Sequence, residues 1–230
     1  MRRDYSDLPL APFADASIYE TEQAAIRTYN AEWNYYSNAL RREVVSTFQK
    51  SIETLLSSFE TIDYLEIGSA QGLSMGVIAC MLRRVRRLHT LLSIDPYYED
   101  GYTEGGGAPQ PDVQKVRINK ATRDKALGLY RSLGLSVSLL ERQSSSGLKE
   151  LLSENRQFHL IYIDGSHEGL NPTIDFGLCH ELVHKGGIIM LDDHYWEDVI
   201  PIRALCDRHA TKIAECWKVA AYQIAREQSH

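Results

Sequence analysis

The feature that most constrains the fold is an alternation of short apolar segments with longer amphipathic segments that begins near residue 62. The apolar segments are rich in β-branched residues, as strands are, and they lie at about 63–68, 88–95, 136–141, 158–164 and 187–191. Helical patterns separate them, and residues 213–225 predict one or two further strands. This order predicts an α/β fold of the doubly wound, Rossmann-like type, with a mostly parallel, seven-stranded sheet.

The residues before this alternation predict an added helical segment. From about Tyr19 to Phe59, apolar side chains recur at every third or fourth position, which is the spacing of an amphipathic helix. The chain is therefore expected to divide into an N-terminal arm with helices over residues 1–60 and one α/β domain over residues 61–230. The N-terminal helices are expected to cover a ligand site or to form a dimer contact.

The composition argues against several classes of function. A net charge of −6 disfavours a nucleic-acid partner, because nucleic-acid-binding domains usually carry a basic excess. The cysteines include no C-x-x-C pair, so neither a zinc site nor a redox motif is indicated. No apolar run reaches the roughly 18 residues that a membrane helix needs, and the first twelve residues lack the apolar core of a signal peptide. A cytoplasmic protein without a nucleic-acid or membrane partner is expected.

Glycine and acidic residues follow the first two predicted strands. Residues 66–72 have the form E-x-G-x-x-x-G, in which Gly68 permits a tight turn and Gly72 permits a close approach at the start of the next helix. The nicotinamide fingerprint G-x-G-x-x-G is not matched. Asp95 closes the second strand, where a carboxylate can accept hydrogen bonds from a ribose diol. The alternative is that Asp95 only forms a turn before Pro96.

Carboxylates also follow the fourth and fifth predicted strands. Asp164 ends the fourth strand, and Asp192 and Asp193 end the fifth. Because parallel strands end at the same edge of a sheet, these side chains should converge, and three carboxylates without a cation would repel one another. A hard divalent ion such as Mg²⁺ relieves that repulsion. The alternative, that the aspartates form a turn and cap the next helix, stays open.

The glycine-rich string E-I-G-S-A-Q-G and Asp95 resemble motifs I and II of the class I S-adenosylmethionine-dependent methyltransferases. The resemblance implies that S-adenosylmethionine is the cofactor. Glu66 and Gly68 would face its methionine and sugar portions, Asp95 its ribose hydroxyls, and Gln143 and Ser144 its adenine. The implied cofactor-binding residues are Glu66, Gly68, Ser69, Gly72, Asp95, Gln143, Ser144 and Asp164. The family often has an aspartate in the region of Gln143, and this chain does not.

The strings I-D-G-S-H and K-G-G-I-I-M-L-D-D-H are similar to a metal-dependent group that includes the macrocin-type sugar O-methyltransferases and shares the catechol O-methyltransferase pattern. The likeness covers roughly residues 60–200. It implies that Asp164, Asp192 and Asp193 hold Mg²⁺ or another divalent cation. In the catechol-type pattern an asparagine stands where this chain has Asp193.

Two histidines follow the predicted metal ligands. His167 and His194 are candidates for the base that takes a proton from an acceptor hydroxyl, and Asp164 is counted with them as catalytic. Either histidine could instead be a metal ligand or orient one. The expected function is O-methylation of a hydroxyl on a small molecule, a sugar or phenol of a specialised metabolite, by a homodimer. The alternatives are a metal-independent N- or O-methyltransferase and a non-catalytic cofactor-binding subunit.

Overall fold

The computed structural model describes residues 42–98 and 118–225. The predicted helices before residue 42 lie outside the described residues, as does most of the glycine-rich loop after Asp95. The helices, numbered within the described residues, are α1 (Arg42–Leu56), α2 (Leu73–Arg84), α3 (Lys120–Ser132), α4 (Ser144–Ser153), α5 (Asn171–Leu182) and α6 (Ile200–His209). The strands are β1 (Ile62–Ile67), β2 (Leu88–Ile94), β3 (Ser138–Leu140), β4 (Phe158–Ile163), β5 (Val183–Leu191), β6 (Thr211–Glu215) and β7 (Ala220–Gln223).

The strands form one seven-stranded sheet in the order β3-β2-β1-β4-β5-β7-β6. Neighbours from β3 to β5 pair in parallel, whereas β7 pairs antiparallel with both β5 and β6. The predicted Rossmann-like, mostly parallel sheet is therefore confirmed. The order reverses between β1 and β4, and ligands of such sheets bind beyond the carboxyl ends of the strands at this switch point.

Side chains of the central strands alternate between two cores, one on each face of the sheet. Tyr64, Leu160 and Met190 belong to one cluster, and their chain neighbours Leu65 and Ile161 belong to the other. Helices cover both faces, which is why these strands are apolar throughout instead of alternating with polar residues. The first core includes residues of α1, α2 and α3, and the second includes residues of α4, α5 and α6.

Helix α1 belongs to the core of this sheet. Val44, Phe48, Ile52 and Leu55 recur on one side of the helix and are completely buried in the first cluster. The helix packs against α2, β5, β6 and β7. The last helical part of the predicted N-terminal segment thus supplies apolar surface to the α/β domain.

None of the helices within residues 42–98 and 118–225 is long and apolar enough to cross a bilayer. Cys80, Cys179, Cys206 and Cys216 are all free thiols.

Candidate functional site

The turn between β1 and α2 lies directly against the end of β4. Gly68 has a φ of +80°, and a Cβ there would come within 2.0 Å of the Asp164 carbonyl oxygen. Gly72 has a φ of +78°, and a Cβ there would meet the Tyr130 ring at 2.6 Å. Side chains larger than hydrogen are therefore excluded at both positions, which explains the glycine spacing of the E-x-G-x-x-x-G string.

Glu66 lies at the end of β1 and is completely buried. Its carboxylate accepts hydrogen bonds from the hydroxyl of Tyr64 and, at 2.9 Å, from that of Ser74. Burial raises the pKa of Glu66 to about 7, although both hydroxyl donors act to lower it. Next to it, the hydroxyls of Ser69 and Ser93 form a buried hydrogen bond between the turn and β2.

Asp95 follows β2 and is held by the backbone of two turns. One carboxylate oxygen accepts the amide of Ala70 at 2.9 Å, and the other accepts the amide of Tyr97 at 3.1 Å. Burial raises the pKa of Asp95, while these amides act to lower it. Tyr97 is itself buried, and its hydroxyl donates to the Ala70 carbonyl at 2.9 Å. Asp95 thus fixes the turn that carries Gly68.

Gln143 and Ser144 lie between β3 and α4, on the far side of β2 from the β1 turn. Gln143 is exposed at the N-terminal end of α4 and makes no capping hydrogen bond with its side chain. Ser144 is half-buried and faces Asp175 of α5, where its hydroxyl lowers the pKa of that carboxyl. Burial outweighs this effect and raises the pKa of Asp175 to about 6.

Asp164, His167 and Asp192 converge beyond β4 and β5. One potential ligand atom from each of the three side chains lies within 4.8 Å of the others, and His167 Nε2 is 3.9 Å from Asp164 Oδ1. The backbone holds this arrangement, because the Asp164 amide donates to Ile67 and the Asp192 amide donates to Ile163. Burial and repulsion from Asp192 raise the pKa of Asp164 well above its usual range.

Lys218 enters the same cluster from the loop between β6 and β7. Its Nζ donates to Asp192 Oδ2 and, at 2.9 Å, to Asp193 Oδ1, and only 9% of the residue is exposed. Burial opposes ionisation of Asp192, but the Lys218 ammonium, a hydrogen bond with Asp164 and the proximity of His167 together lower the pKa of that carboxyl. Lys218 thus offsets part of the carboxylate charge, and the sequence pattern at the strand ends did not indicate this residue.

Asp193 is separate from the group formed by Asp164, His167 and Asp192. It adopts a φ of +40°, and its carboxylate oxygen accepts the Tyr195 hydroxyl at 3.0 Å in addition to Lys218. The residue is partly exposed, and its pKa is raised by burial and by Asp192. Of the predicted metal ligands, Asp164 and Asp192 thus belong to one compact group, and His167 is the third member.

His194 points away from this cluster, toward α6 and β6. Its Nδ1 accepts a hydrogen bond from Arg203 at 3.0 Å, and its Nε2 then donates to the carbonyl oxygen of Cys216 at 2.8 Å. Both ring nitrogens of this buried side chain are engaged, so it has neither a free lone pair nor a route to the acidic cluster. This geometry fits a side chain that joins the end of β5 to α6, and the role of His194 as the base stays a prediction that these contacts disfavour.

A family model described as a methyltransferase domain matches residues 65–194. A curated relative, an uncharacterized protein of Acanthamoeba polyphaga mimivirus, is 26% identical over 147 residues, which cover 62% of this chain and 57% of the relative. The chain thus spans little more than half the length of that curated relative.

Several solved structures share the fold. The calicheamicin methyltransferase CalS11 aligns with a TM-score of 0.63 and 15% identity over 97% of this chain and 98% of its own. The O-methyltransferase NovP aligns with a TM-score of 0.63 and 15% identity over 92% of this chain and 100% of its own. An O-methyltransferase from Bacillus cereus in complex with SAH aligns with a TM-score of 0.57 and 16% identity over 93% of each chain. At these identities the likeness establishes the fold.

Proposed function

This chain belongs to the methyltransferase-domain family, and on that premise we propose that it methylates a hydroxyl of a small molecule with the help of a divalent cation. The enzyme class, an S-adenosylmethionine-dependent methyltransferase, follows from the family. The observation that carries the proposal is the convergence of Asp164, His167 and Asp192 beside the Gly68 turn. CalS11 is a TDP-rhamnose 3'-O-methyltransferase and NovP is an O-methyltransferase, which supports oxygen as the acceptor atom.

The cofactor is proposed to lie across the carboxyl ends of β1 and β2. Asp95 has oxygen lone pairs beyond the two that accept the Ala70 and Tyr97 amides, and these can accept hydrogen bonds from the ribose hydroxyls. The methionine portion is proposed to lie beside the Gly68 turn, with Glu66, Ser69 and Gly72 as the neighbouring residues. Gln143, Ser144 and Asp164 complete the proposed set, the first two near the adenine.

The acidic cluster fits a divalent cation by the chemistry of its donors. Asp164 and Asp192 offer carboxylate oxygens in a group whose ligand atoms lie within 4.8 Å of one another, and oxygen ligands suit Mg²⁺. The imidazole of His167, the third member of the group, is kept for proton transfer. Asp193 could join Asp164 and Asp192 as a ligand if its contact with Lys218 opens. When bound, a divalent cation would supply a Lewis acid that lowers the pKa of the acceptor hydroxyl.

His167 is proposed as the general base. It is buried beside Asp164, and its ring packs against Trp196 with the centroids 5.4 Å apart. In the proposed step the acceptor oxygen attacks the methyl carbon of the sulfonium, and the carbon–sulfur bond breaks as the carbon–oxygen bond forms. The hydroxyl proton passes to His167. The chain's main contribution is to position the reactants, since the sulfonium already makes the methyl group electrophilic.

A metal-independent methyltransferase is the second candidate function, and Lys218 is the observation that favours it. An ammonium group that contacts Asp192 and Asp193 already offsets part of the negative charge for which a metal ion was invoked.

The predicted homodimer and the predicted cytoplasmic location also stay predictions. The sedimentation coefficient of the purified protein would test whether it is a dimer.

The decisive experiment is calorimetric titration of S-adenosylmethionine into the purified protein, with Mg²⁺ present and then with a chelator, followed by a screen of hydroxylated acceptors under both conditions. We expect cofactor binding in both conditions and methyl transfer only when Mg²⁺ is present. Full methyl transfer in excess chelator would favour the metal-independent candidate. A folded sample that does not bind the cofactor would contradict the proposed cofactor site.

A further inference from the structure

Lys218 has no role in the function proposed so far, although it lies at the centre of the acidic cluster. The antiparallel pairing of β7 with β5 sets Ala220 opposite Leu191, so the residues just before β7 face the residues just after β5. Lys218 is thereby brought to the carboxyl ends of the parallel strands, and its Nζ reaches both Asp192 and Asp193.

Burying a lysine ammonium is costly unless carboxylates surround it. The Lys218 ammonium contacts the carboxylates of both Asp192 and Asp193, which compensate its charge despite its burial. The cluster thus carries up to three negative charges and one fixed positive charge that the chain itself provides.

The ammonium and a divalent cation would compete for the same carboxylate. Asp192 belongs to the group whose ligand atoms could hold a metal ion, and its Oδ2 is already bound to Lys218 while its Oδ1 accepts the Tyr162 hydroxyl. A cation that coordinates Asp192 through Oδ2 would share that oxygen with the Lys218 ammonium and lie directly beside it. It would also be repelled by the ammonium if Lys218 stayed in place.

We propose that Lys218 is the resident cation of this cluster and that a divalent ion binds Asp192 only by displacing it. Lys218 then sets the metal affinity of the site and stabilises the acidic cluster in the ion-free protein. This inference rests on the proposed function, because it assumes that the cluster takes up a divalent ion.

The test is calorimetric titration of Mn²⁺ into the full chain and into Lys218→Met, which keeps an apolar stem and removes the charge. We expect Lys218→Met to bind Mn²⁺ about tenfold or more tightly than the unaltered chain, since one charge at this range typically changes such equilibria by that factor. Lys212→Met is the matched control. Lys212 lies on β6 and is also paired with two carboxylates, those of Asp207 on α6 and Glu215 on β6. Its Mn²⁺ affinity should equal that of the unaltered chain.

Equal Mn²⁺ affinity in the unaltered chain and Lys218→Met would overturn the inference and leave cation-assisted transfer standing. No Mn²⁺ binding by either protein would overturn both the inference and the divalent-cation part of the function, whereas S-adenosylmethionine binding would be unaffected.

A second measurement uses the unaltered chain and covers the case in which Lys218→Met does not fold. Acetylation of lysines is followed by mass spectrometry with and without Mn²⁺, and Lys212 serves as the internal reference. We expect Mn²⁺ to increase the acetylation of Lys218 relative to Lys212. Unchanged acetylation of Lys218 at saturating Mn²⁺, or a chain that takes up no Mn²⁺, would contradict displacement.

Discussion

The Glu66 carboxylate is fully buried and accepts hydrogen bonds from hydroxyl groups. Among its described contacts there is no lysine, arginine or histidine. Its hydrogen bonds come from Tyr64 and Ser74, which are neutral, so they offset only part of the cost of burying a charge. Since burial raises the pKa of Glu66 to about 7 from 4.5, the folded protein retains a proton that the unfolded chain releases. Glu66 should therefore make folding dependent on pH.

The sign of this dependence is set by where the proton is held. Between about pH 4.5 and about pH 7 the folded state binds more protons than the unfolded state, so the free energy of unfolding falls as the pH rises. The total loss attributable to Glu66 is about 3 kcal/mol. Glu66→Gln removes this titration and should become progressively more stable than the unaltered chain across that window.

The measurement is urea unfolding of both ligand-free proteins at several values from about pH 5 to about pH 8. The difference between the two proteins isolates Glu66 from other raised carboxyls, such as Asp175, that titrate in both. Stability curves that run parallel over the whole range would show that Glu66 is already ionised in the folded state.

The sequence predicts Glu66, Asp95, Asp164 and Asp192 as site residues because each lies at or next to the end of a strand. His194 was selected by the same rule, but the chain turns sharply at Asp193 and directs the next side chain to Arg203. The position of a residue next to a predicted metal-ligating residue in the sequence does not determine the direction of its side chain. Tertiary contacts determine it.

At the scale of elements, the β1 turn can approach the end of β4 only because residue 68 is a glycine and has no side chain. A Cβ on Gly68 would lie 2.0 Å from the Asp164 carbonyl oxygen, and the φ of +80° disfavours any other residue. We expect Gly68→Ala to lower the free energy of unfolding by more than about 2 kcal/mol, because backbone cannot move aside as a flexible side chain can.

Gly177→Ala is the matched control for this change. Gly177 lies within α5, and a Cβ there would meet nothing within 4 Å. Alanine favours a helix over glycine by about 1 kcal/mol, so this variant should be slightly more stable than the unaltered chain. Urea unfolding of both variants provides the comparison, and equal effects at the two glycines would contradict the close approach at Gly68.

Element boundaries were predictable where apolar periodicity ended at a capping residue, and less so elsewhere. Helix α3 begins at Lys120, because Asn119 caps it and forms a reciprocal hydrogen-bond pair with Thr122. Strand β5 was expected from Gly187 and begins at Val183. The register with β4 shifts before Leu160 and Ile188, so the glycine pair is accommodated inside the strand as an irregularity.

At the scale of the whole molecule, the parallel sheet and its switch point could be predicted because strands and helices alternate in a strict order. The pairing of the last two strands could not, since nothing local specifies that β7 runs antiparallel beside β5. That pairing is what carries Lys218 to the acidic cluster. The carboxyl ends of the parallel strands therefore supply the anions of this cluster, and the antiparallel pair supplies its lysine.

The switch point also divides the proposed site into two halves that should be separable by mutation. Asp95 follows β2 and Asp192 follows β5, on opposite sides of the β1–β4 pair. We expect Asp95→Asn to weaken S-adenosylmethionine binding about tenfold and to leave Mn²⁺ binding unchanged, since it removes a charged hydrogen-bond acceptor from one half only.

Asp192→Asn is its isosteric counterpart and should show the reverse, with Mn²⁺ binding abolished and cofactor affinity retained. Calorimetric titration of each ligand into each variant gives four affinities, and the prediction is that only the two matched pairs change. Loss of cofactor binding in Asp192→Asn would mean that the acidic cluster contacts the cofactor directly. The negative charge of the cluster would then compensate the positive sulfonium of the cofactor instead of binding a metal ion. In that case the acidic cluster would need no cation other than Lys218.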